Sequence, residues 1–408
     1  MTEKLRLAHK VKALHRDREI SMTDCRRGAS QQSVQRLRLV ASLFFLALAL
    51  LPVSLHAQTW AWRTEEVDAQ GKFTSIATDK DSNVHVSYSD GQAIKYAFRP
   101  AGANSKWFSM NIDGGDTYTS IAVDPQGHPH ICYTARVLRY AQFDGSQWKI
   151  QTIATDNAPI YFSCAIAISR DGSPHISWYR ERNADNTPYT HIKYAELQDG
   201  AWVIRTLDFE MQTGKFESMA LDAGGSPILS FDAYVKGLLK FAHKAGDEWK
   251  IETVDFRGHT NNVYDVGMGN SITIDRDGKP VISYEDGETI KYAHLVADKW
   301  KVETVDSYHP LGGWVGYRTA VVVDQDNRPH IVYDAGGPLK HAYWDGQKWR
   351  IQVLARGGMF AARYCSMAID KNNTIYISYT DPEDGSLKVA IGEAKTAAPV
   401  SSASESKP

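Results

Sequence analysis

The chain has 408 residues, of which 43% are hydrophobic and 23% are charged, and its formal net charge is −2. Length alone allows two or three domains. Residues 1–57 hold ten basic and four acidic side chains, so the remainder carries 36 basic and 44 acidic ones, a net charge of −8. Because nucleic-acid binding usually needs a basic face, this balance argues against a nucleic-acid partner.

The N-terminal segment joins a long basic region to a short apolar stretch. Leu39–Leu55 is an uncharged apolar run, and the small residue Ala57 follows shortly after it. This order is typical of a secretory signal peptide cleaved after Ala57. We therefore expect residues 1–57 to be a signal with an extended basic region, shorter if translation begins at Met22, and the mature protein to be secreted or periplasmic. The alternative is an uncleaved membrane anchor formed by residues 39–55, a length at the short limit for a span.

The rest of the chain repeats one unit, which is clearest over Ser271–Asp306. The unit contains four runs rich in Val, Ile, Tyr and Trp, namely SITID, PVISY, TIKYA and WKVETV, with Gly, Asp and Pro between them. Such runs predict β-strands joined by tight turns, so each unit is an antiparallel meander of four strands.

The first strand of the unit recurs seven times. Its copies start at Ser75, Ser120, Ala165, Ser218, Ser271, Ala320 and Ser366, which are 45, 45, 53, 53, 49 and 46 residues apart. Four strands per unit at this spacing are typical of propeller blades. We predict an all-β fold, a seven-bladed β-propeller of four-stranded antiparallel blades over residues 58–393, followed by a disordered Ala/Ser/Pro-rich tail at 394–408.

Only six fourth strands follow the seven first strands. They begin at Trp107, Trp148, Trp202, Trp249, Trp300 and Trp349. The segment Trp62–Asp68 matches Trp249–Asp255 in spacing, so we expect it to complete the last blade beside Leu387–Ile391. That pairing closes the ring and predicts one cooperative domain.

Three cysteines, Cys132, Cys164 and Cys365, remain after the predicted signal. An odd count without any CxxC pair argues against a disulfide framework or a zinc site. Cys132 takes the position of Ser87 and Ser177 in other units, which favours a packed core thiol. A Cys132–Cys164 bridge between neighbouring blades is the alternative.

The two faces of a propeller differ in their loops. The loops between second and third strands share one face, here called the upper face, with the connections between blades. The turns between first and second strands, and between third and fourth, form the lower face. The upper loops are the longer and more irregular ones in this chain. Because irregular loops on a rigid scaffold usually carry binding residues, we expect a site on the upper face near the axis.

Two groups of upper-face residues are candidate ligand contacts. The first lies just before the first strand of each blade, at the rim of the axial opening, where Arg318 replaces an aromatic residue. This rim comprises Phe73, Tyr118, Phe216, Arg318 and Tyr364, with Phe162 and Tyr317 beside it. The second group consists of loop arginines, which suit bidentate carboxylate binding, and His or Tyr residues that could act as acid or base.

The candidate binding residues from both groups are Arg136, Arg180, His191, His259, Tyr264, His309, Trp314, Tyr317, Arg318, Arg363 and Tyr364. The alternative for each is a solvated loop side chain or a salt bridge between blades. No catalytic residue is identified among them.

Three repeated series are better explained by the fold than by function. The aromatic residues that end the second strands should pack between blades rather than form a platform for sugar rings; they are Tyr88, Tyr133, Trp178, Phe231, Tyr284, Tyr333 and Tyr379. The second-strand histidines should make inter-blade hydrogen bonds rather than bind a metal; they are His85, His130, His175 and His330. The aspartates after the first strands should cap hairpin turns, because they lack the oxygen set that calcium needs; they are Asp79, Asp124, Asp222, Asp275, Asp324 and Asp370. We therefore predict no metal and no cofactor.

The pattern PHISY–LKYA–W–I–E–TVD resembles the repeats of secreted bacterial propeller proteins over most of the chain after the predicted signal. At the level of the fold the chain is also similar to exported propellers that act on glycans: sialidase-like proteins, polysaccharide lyases and sugar-binding lectins. The sialidase Asp-box, Ser-x-Asp-x-Gly-x-Thr-Trp, is absent, since Ser169-Arg-Asp-Gly-Ser-Pro breaks the spacing at Gly172. The resemblance therefore implies a fold and no catalytic residue.

The sequence thus predicts an exported, non-enzymatic recognition propeller that binds an extracellular or envelope ligand on its upper face and does not bind nucleic acid. That ligand is a glycan or a protein, and the propeller is expected to be a monomer. One alternative is a glycan-active enzyme, such as a polysaccharide lyase or a sialidase-like hydrolase. Another is an assembly scaffold in the envelope.

Overall fold

The computed structural model describes residues 59–135, 137–154, 164–180, 191–207, 216–233, 236–246, 248–256, 266–307, 318–334, 336–357 and 364–395. The predicted signal and all but the first two residues of the predicted tail lie outside these ranges. No helix within the ranges is long and apolar enough to cross a membrane.

The described residues form 28 strands in seven four-stranded antiparallel sheets. Blade 1 holds β2 (Lys72–Thr78), β3 (Val84–Ser89), β4 (Ala93–Arg99) and β5 (Phe108–Gly114); blade 2 holds β6 (Thr119–Val123), β7 (Pro129–Ala135), β8 (Val137–Phe143) and β9 (Trp148–Ala154). Blade 3 holds β10 (Cys164–Ile168), β11 (Pro174–Arg180), β12 (His191–Gln198) and β13 (Ala201–Thr206); blade 4 holds β14 (Glu217–Leu221), β15 (Pro227–Ala233), β16 (Leu238–Ala245) and β17 (Glu248–Phe256). Blade 5 holds β18 (Met268–Ile274), β19 (Pro280–Glu285), β20 (Thr289–Val296) and β21 (Lys299–Ser307); blade 6 holds β22 (Thr319–Val323), β23 (Pro329–Asp334), β24 (Leu339–Trp344) and β25 (Trp349–Ala355). Blade 7 holds β26 (Ser366–Ile369), β27 (Ile375–Thr380), β28 (Leu387–Lys395) and β1 (Thr59–Asp68).

The seven-bladed propeller is confirmed. Within each of the first six blades the strands follow one another in chain order from the innermost to the outermost. The innermost strands contact their neighbours in sequence around the axis, and β2 of blade 1 also contacts β26 of blade 7. This last contact closes the ring.

The N-terminal strand completes blade 7, as the match of Trp62–Asp68 predicts. Strand β1 pairs antiparallel with β28, with Trp62 opposite Gly392. The Trp62 ring lies edge-on to His341 of blade 6 at 5.0 Å between centroids, just as Trp249 of blade 4 lies edge-on to Tyr194 of blade 3 at 5.1 Å. Trp62 therefore occupies the fourth-strand position. The pairing extends to Lys395, so residues 394–395 belong to the last blade and not to the tail.

The hydrophobic core lies between the blades rather than within them. One cluster joins Tyr88 and Val86 of blade 1 to Val389 and Ile391 of blade 7, and the other clusters also span neighbouring blades. The aromatic series that ends the second strands is buried throughout, which confirms its predicted packing role. The Tyr88 hydroxyl donates to Oδ2 of Asp68, the last residue of β1, at 2.6 Å. Each blade is therefore stabilised mainly by its neighbours.

Small polar residues of the innermost strands also link the blades. The Ile121 amide of blade 2 donates to Ser75 Oγ of blade 1 at 3.2 Å. Equivalent bonds use Ser366, Ser120, Ser218 and Ser271. The positions of Ala165 and Ala320 have no hydroxyl to take part. A serine at this position is small enough for the crowded axis, and its hydroxyl oxygen accepts a hydrogen bond from a main-chain amide of the next blade.

A disulfide joins Cys132 of blade 2 to Cys164 of blade 3. The packed-thiol prediction for Cys132 is therefore wrong, and the alternative bridge is correct. At the preceding junction the same two positions hold Ser87 and Thr119, whose hydroxyl oxygens are 2.8 Å apart. The disulfide is thus a covalent replacement for a hydrogen bond of the repeat. Cys365 is a buried free thiol.

The second-strand histidines bond within their own blade, so the predicted inter-blade hydrogen bonds are wrong. His85 Nδ1 lies 2.8 Å from the Tyr96 hydroxyl, and its Nε2 lies 3.4 Å from Asp79 Oδ2. The pairing of β3 with β4 places Tyr96 opposite Ser87, diagonally beside the histidine. Asp79 Oδ1 accepts hydrogen bonds from the main-chain amides of residues 81 and 83, which confirms the predicted capping of the hairpin turn.

Candidate functional site

The rim of the axial opening on the upper face gathers three aromatic side chains. Phe73 of blade 1 lies 4.4 Å from Tyr118 of blade 2 and 4.4 Å from Tyr364 of blade 7, measured between ring centroids. The two tyrosine rings meet edge to face at 5.5 Å. All three side chains are only partly buried. They form a continuous aromatic surface across three consecutive blades.

Arg318 of blade 6 reaches the same aromatic surface. Its guanidinium carbon lies 5.7 Å from the centroid of Tyr118, within the range of a cation–π interaction. Tyr118 belongs to blade 2, so the two side chains approach each other from separate parts of the ring. Arg318 is half-buried and makes no ion pair with a described carboxylate. Lys72, which lies over the Phe73 ring, is by contrast paired with Asp116 at 2.8 Å.

Phe73 occupies a backbone conformation that side chains rarely adopt. Its φ is 56°, in the left-handed region, and it lies in an irregularity of pairing between Lys72 and Ser75. The equivalent residue of blade 5 is Gly269, also at a φ of 56°. Glycine adopts this conformation freely, whereas other residues lose on the order of 1–2 kcal/mol. Bulges of this kind re-aim side chains, and local backbone strain is concentrated at functional sites.

Directly behind Arg318 lies the free cysteine. The Cys365 thiol donates to the Arg318 carbonyl oxygen at 3.7 Å, and burial raises the pKa of this thiol to about 12. The thiol therefore stays protonated, and it supports the rim by packing. Within the described ranges, no group of three His, Cys, Asp or Glu side chains is arranged to hold a metal ion.

Four of the predicted binding residues lie in the described ranges. Arg318 and Tyr364 converge on the rim, where each contacts Tyr118. His191, which is half-buried, opens β12 and pairs in register with Arg180 at the end of β11 in blade 3. The other seven lie outside the described residues: Arg136, His259, Tyr264, His309, Trp314, Tyr317 and Arg363.

Described residues of the lower face line two clefts that the sequence analysis does not predict. One lies between blades 7 and 1 and has a volume of about 360 Å³; the other lies between blades 3 and 4 and has a volume of about 440 Å³. The second contains His175 and Ser169. Ser169 replaces the aspartate that follows the first strand in the other six units, and this exchange is the sequence signal that points to the cleft.

Comparisons with known proteins support the fold. No family model and no curated protein matches the chain. Among solved structures, an ulvan lyase of a new polysaccharide lyase family is similar with a TM-score of 0.53 and 13% identity, over 80% of this chain and 95% of the lyase. A fungal alcohol oxidase in complex with copper has a TM-score of 0.52 and 10% identity, over 83% of this chain and 76% of the oxidase. The fucose-specific lectin from Aleuria aurantia has a TM-score of 0.49 and 13% identity, over 71% of this chain and 96% of the lectin.

The chain is a seven-bladed β-propeller, and its fold is similar to that of the ulvan lyase and the alcohol oxidase. At identities this low the likeness concerns the fold alone, and the activities of these proteins differ widely. Its function has to be argued from its own residues.

Proposed function

We propose that the chain is an exported recognition protein that binds a carboxylate-bearing glycan at the axial rim of its upper face. The observation that carries this proposal is the partly exposed aromatic surface of Phe73, Tyr118 and Tyr364 with Arg318 beside it. The propeller repeat requires neither an aromatic residue nor an arginine at this position, because the equivalent residue of blade 5 is a glycine.

The two parts of the rim suit the two parts of an acidic sugar. Aromatic faces offer a flat apolar surface with a negative quadrupole, against which the C–H face of a pyranose ring can pack. A guanidinium binds a carboxylate through two parallel hydrogen bonds. Arg318 is available for this because no described carboxylate neutralises it.

The scaffold holds these side chains in place before a ligand arrives. Phe73 is the second residue of β2 and Tyr118 directly precedes β6. The Thr119 hydroxyl donates to the Phe73 carbonyl oxygen at 2.9 Å across the blade junction. Preorganisation of this kind lowers the entropic cost of binding.

Export is supported by two features. Residues 39–55 have the character of a signal sequence. The Cys132–Cys164 disulfide also fits an oxidising compartment, where such bonds persist. Fractionation of cells that express the chain, with N-terminal sequencing of the exported form, tests this part of the proposal. An intact N-terminus in the cytoplasm would contradict it.

Binding to an array of acidic and neutral glycans tests the recognition function. We expect acidic glycans to bind, and Arg318→Ala to weaken their binding about tenfold or more, the loss of a charge-assisted hydrogen bond. Lys299→Ala removes an exposed cation from the lower face of blade 5 and serves as the matched control. Absence of binding to every acidic glycan, or equal binding by the Arg318 variant, would refute the proposal.

A polysaccharide lyase is the second candidate, because the phenols of Tyr118 and Tyr364 lie at the same rim as Arg318. An arginine can neutralise a uronate carboxylate while a tyrosine acts as acid or base. Incubation with uronate polymers, followed by the absorbance of the unsaturated product, tests this activity. Turnover that is lost in Arg318→Ala would replace recognition by catalysis.

A further inference from the structure

The cleft between blades 3 and 4 lies on the lower face, opposite the axial rim. Its volume of about 440 Å³ falls in the ordinary range for small-molecule sites. Ser169, Arg170, Asp171, His175 and Leu197 line it on the blade 3 side. The turn of blade 4, at Gly224 and Gly225, lines the other side.

The histidine in this cleft lacks the partner that its counterparts have. In blades 1, 2 and 6, Nε2 of the second-strand histidine lies 3.4 Å from a turn aspartate. In blade 3 the position of this aspartate holds Ser169, whose hydroxyl caps the turn by bonding to Asp171 and to the Ser173 carbonyl oxygen. No described residue bonds to Nε2 of His175, and the ring is half-buried, whereas its counterparts are fully buried.

A hydrogen-bond chain behind His175 fixes which ring nitrogen carries the proton. The Tyr194 hydroxyl donates to Glu196 Oε2 at 2.9 Å, so its proton is not available to His175 Nδ1, which lies 2.7 Å away. Nδ1 must therefore be the donor to the Tyr194 oxygen. In a neutral imidazole the other nitrogen then has a free lone pair. Nε2 of His175 is consequently an unused acceptor.

Glu196 is ionised, as the chain of hydrogen bonds behind His175 requires. Burial opposes its ionisation, but hydrogen bonds from Tyr194 and Arg205 outweigh burial, and the pKa of Glu196 lies below its usual range. Lys244 lies 3.5 Å from the same carboxylate. In blade 1 the arrangement is reversed, because Asp79 accepts from Nε2 of His85 and leaves Nδ1 to accept from Tyr96.

The lining favours a neutral ligand that is rich in hydrogen-bond donors. Nε2 of His175 and the Asp171 carboxylate are acceptors, and the lining also includes the cationic residue Arg170. The charge of Glu196 is compensated by Arg205 and Lys244. We propose that this cleft is a second binding site and that its ligand is a neutral saccharide unit. One hydroxyl group of the saccharide donates a hydrogen bond to His175 Nε2. The site is independent of the axial rim.

The protonation pattern is tested by long-range ¹H–¹⁵N NMR of the histidine rings near neutral pH. We expect His175 in the Nδ1–H form, with His85 and His130 in the Nε2–H form. Ser169→Asp restores the aspartate of the repeat and should place a second proton on Nε2, because the Tyr194–Glu196 bond still holds the first proton on Nδ1. An Nε2–H or doubly protonated His175 in the unaltered protein would overturn the assignment.

Ligand binding is tested with the methyl glycosides of glucose, galactose, mannose and fucose, followed through the His175 Nε2 resonance. We expect at least one glycoside to shift it saturably, and Ser169→Asp to weaken that binding about tenfold or more. Gln347→Glu, which adds the same charge to the lower face of blade 6, should leave the affinity unchanged. No shift with any glycoside, or equal affinity in Ser169→Asp, would overturn the proposal. Because Arg318→Ala should not affect this site, failure here is distinguishable from failure at the axial rim.

Discussion

Buried histidines on the second strands are held in their neutral form. Burial lowers the pKa of His85, His130 and His330 below the ordinary value of 6.5, although the hydrogen-bonded aspartates partly oppose the shift. Complete burial also holds the pKa of His341, which stacks on His330 in blade 6, well below 6.5. These residues therefore couple protonation to folding.

We expect stability to fall on mild acidification. Each of these histidines has a lower pKa folded than unfolded, so the unfolded chain binds more protons. The stabilisation is complete above about pH 6.5 and is lost as the pH falls toward the folded pKa values. The turn carboxylates of Asp79, Asp124 and Asp324 also have lowered pKa values, and their stabilisation is lost below about pH 4.

Urea denaturation at about pH 7.5 and about pH 5 measures this change. The midpoint should be lower at the acidic pH and should recover when the pH is restored. A midpoint that is constant or higher at acidic pH would contradict the assignment of neutral buried histidines.

Phe73 and Tyr118 allow binding to be separated from stability. Phe73→Gly removes an aromatic ring and also relieves its left-handed backbone, so we expect the free energy of unfolding to change by less than about 1 kcal/mol. Tyr118→Gly relieves no such strain and should cost about 2 kcal/mol or more. Both should weaken glycan binding at the rim. Urea denaturation measures the change in stability, and titration with a glycan that binds the unaltered protein measures the change in affinity. A larger loss of stability in Phe73→Gly than in Tyr118→Gly would refute the strain argument.

The rim was only partly predictable from the sequence. The repeat alignment places Tyr118, Arg318 and Tyr364 at one position of the unit, and it singles out Arg318 because this residue replaces an aromatic one. It does not show that Tyr118 bridges Arg318 and Tyr364, because that contact depends on how far side chains reach across the axis. The partners of the histidines were missed for a related reason: the diagonal neighbour on β4 is Tyr96, and only the register shows this.

At the scale of the element, each junction between blades repeats one set of contacts with local exchanges. Ser87 and Thr119 form a hydrogen bond at the first junction, and Ser283 and Thr319 form the same bond at 2.6 Å between blades 5 and 6. The disulfide occupies the corresponding place between blades 2 and 3. This bridge was only the alternative in the sequence analysis, although Cys164 opens a first strand in the same way as Thr119 and Thr319 do.

Restoring the repeat at the disulfide should yield a folded but less stable protein. Cys132→Ser combined with Cys164→Thr copies the Ser87–Thr119 pair, and we expect it to lose roughly 2–4 kcal/mol relative to the disulfide. The control, alanine at both positions, should lose about 1 kcal/mol more, the value of the hydrogen bond. Denaturant midpoints measure both. Equal stabilities of the Ser/Thr and Ala/Ala variants would show that the bond does not form.

At the scale of the whole molecule, the ring depends on the pairing of its two chain ends. This closure was predictable because six fourth strands followed seven first strands. The sequence did not show how tightly β1 is seated. A Cβ on Gly392 would lie 2.6 Å from the Trp62 ring, closer than any real contact.

Gly392→Ala should therefore destabilise the closed ring by about 1–3 kcal/mol through overpacking. In the background of Trp62→Ala the same substitution should have little effect, because the clashing ring is gone. A double-mutant cycle by urea denaturation measures this coupling. Additive losses would show that Trp62 does not pack on Gly392 in solution.

The hydrogen bonds from main-chain amides to serine hydroxyls around the axis are interrupted at two junctions between blades. We expect the blades to be held together less firmly at these two junctions. Ala165 and Met219 share a hydrophobic cluster between blades 3 and 4, and Ala320 and Met367 share one between blades 6 and 7. Neither alanine has a hydroxyl that could accept a hydrogen bond from an amide of the next blade. These two seams split the molecule into an arc of blades 4 to 6 and an arc of blades 7, 1, 2 and 3. Breathing of the ring should begin where the arcs meet, and deuterium should enter the backbone there first.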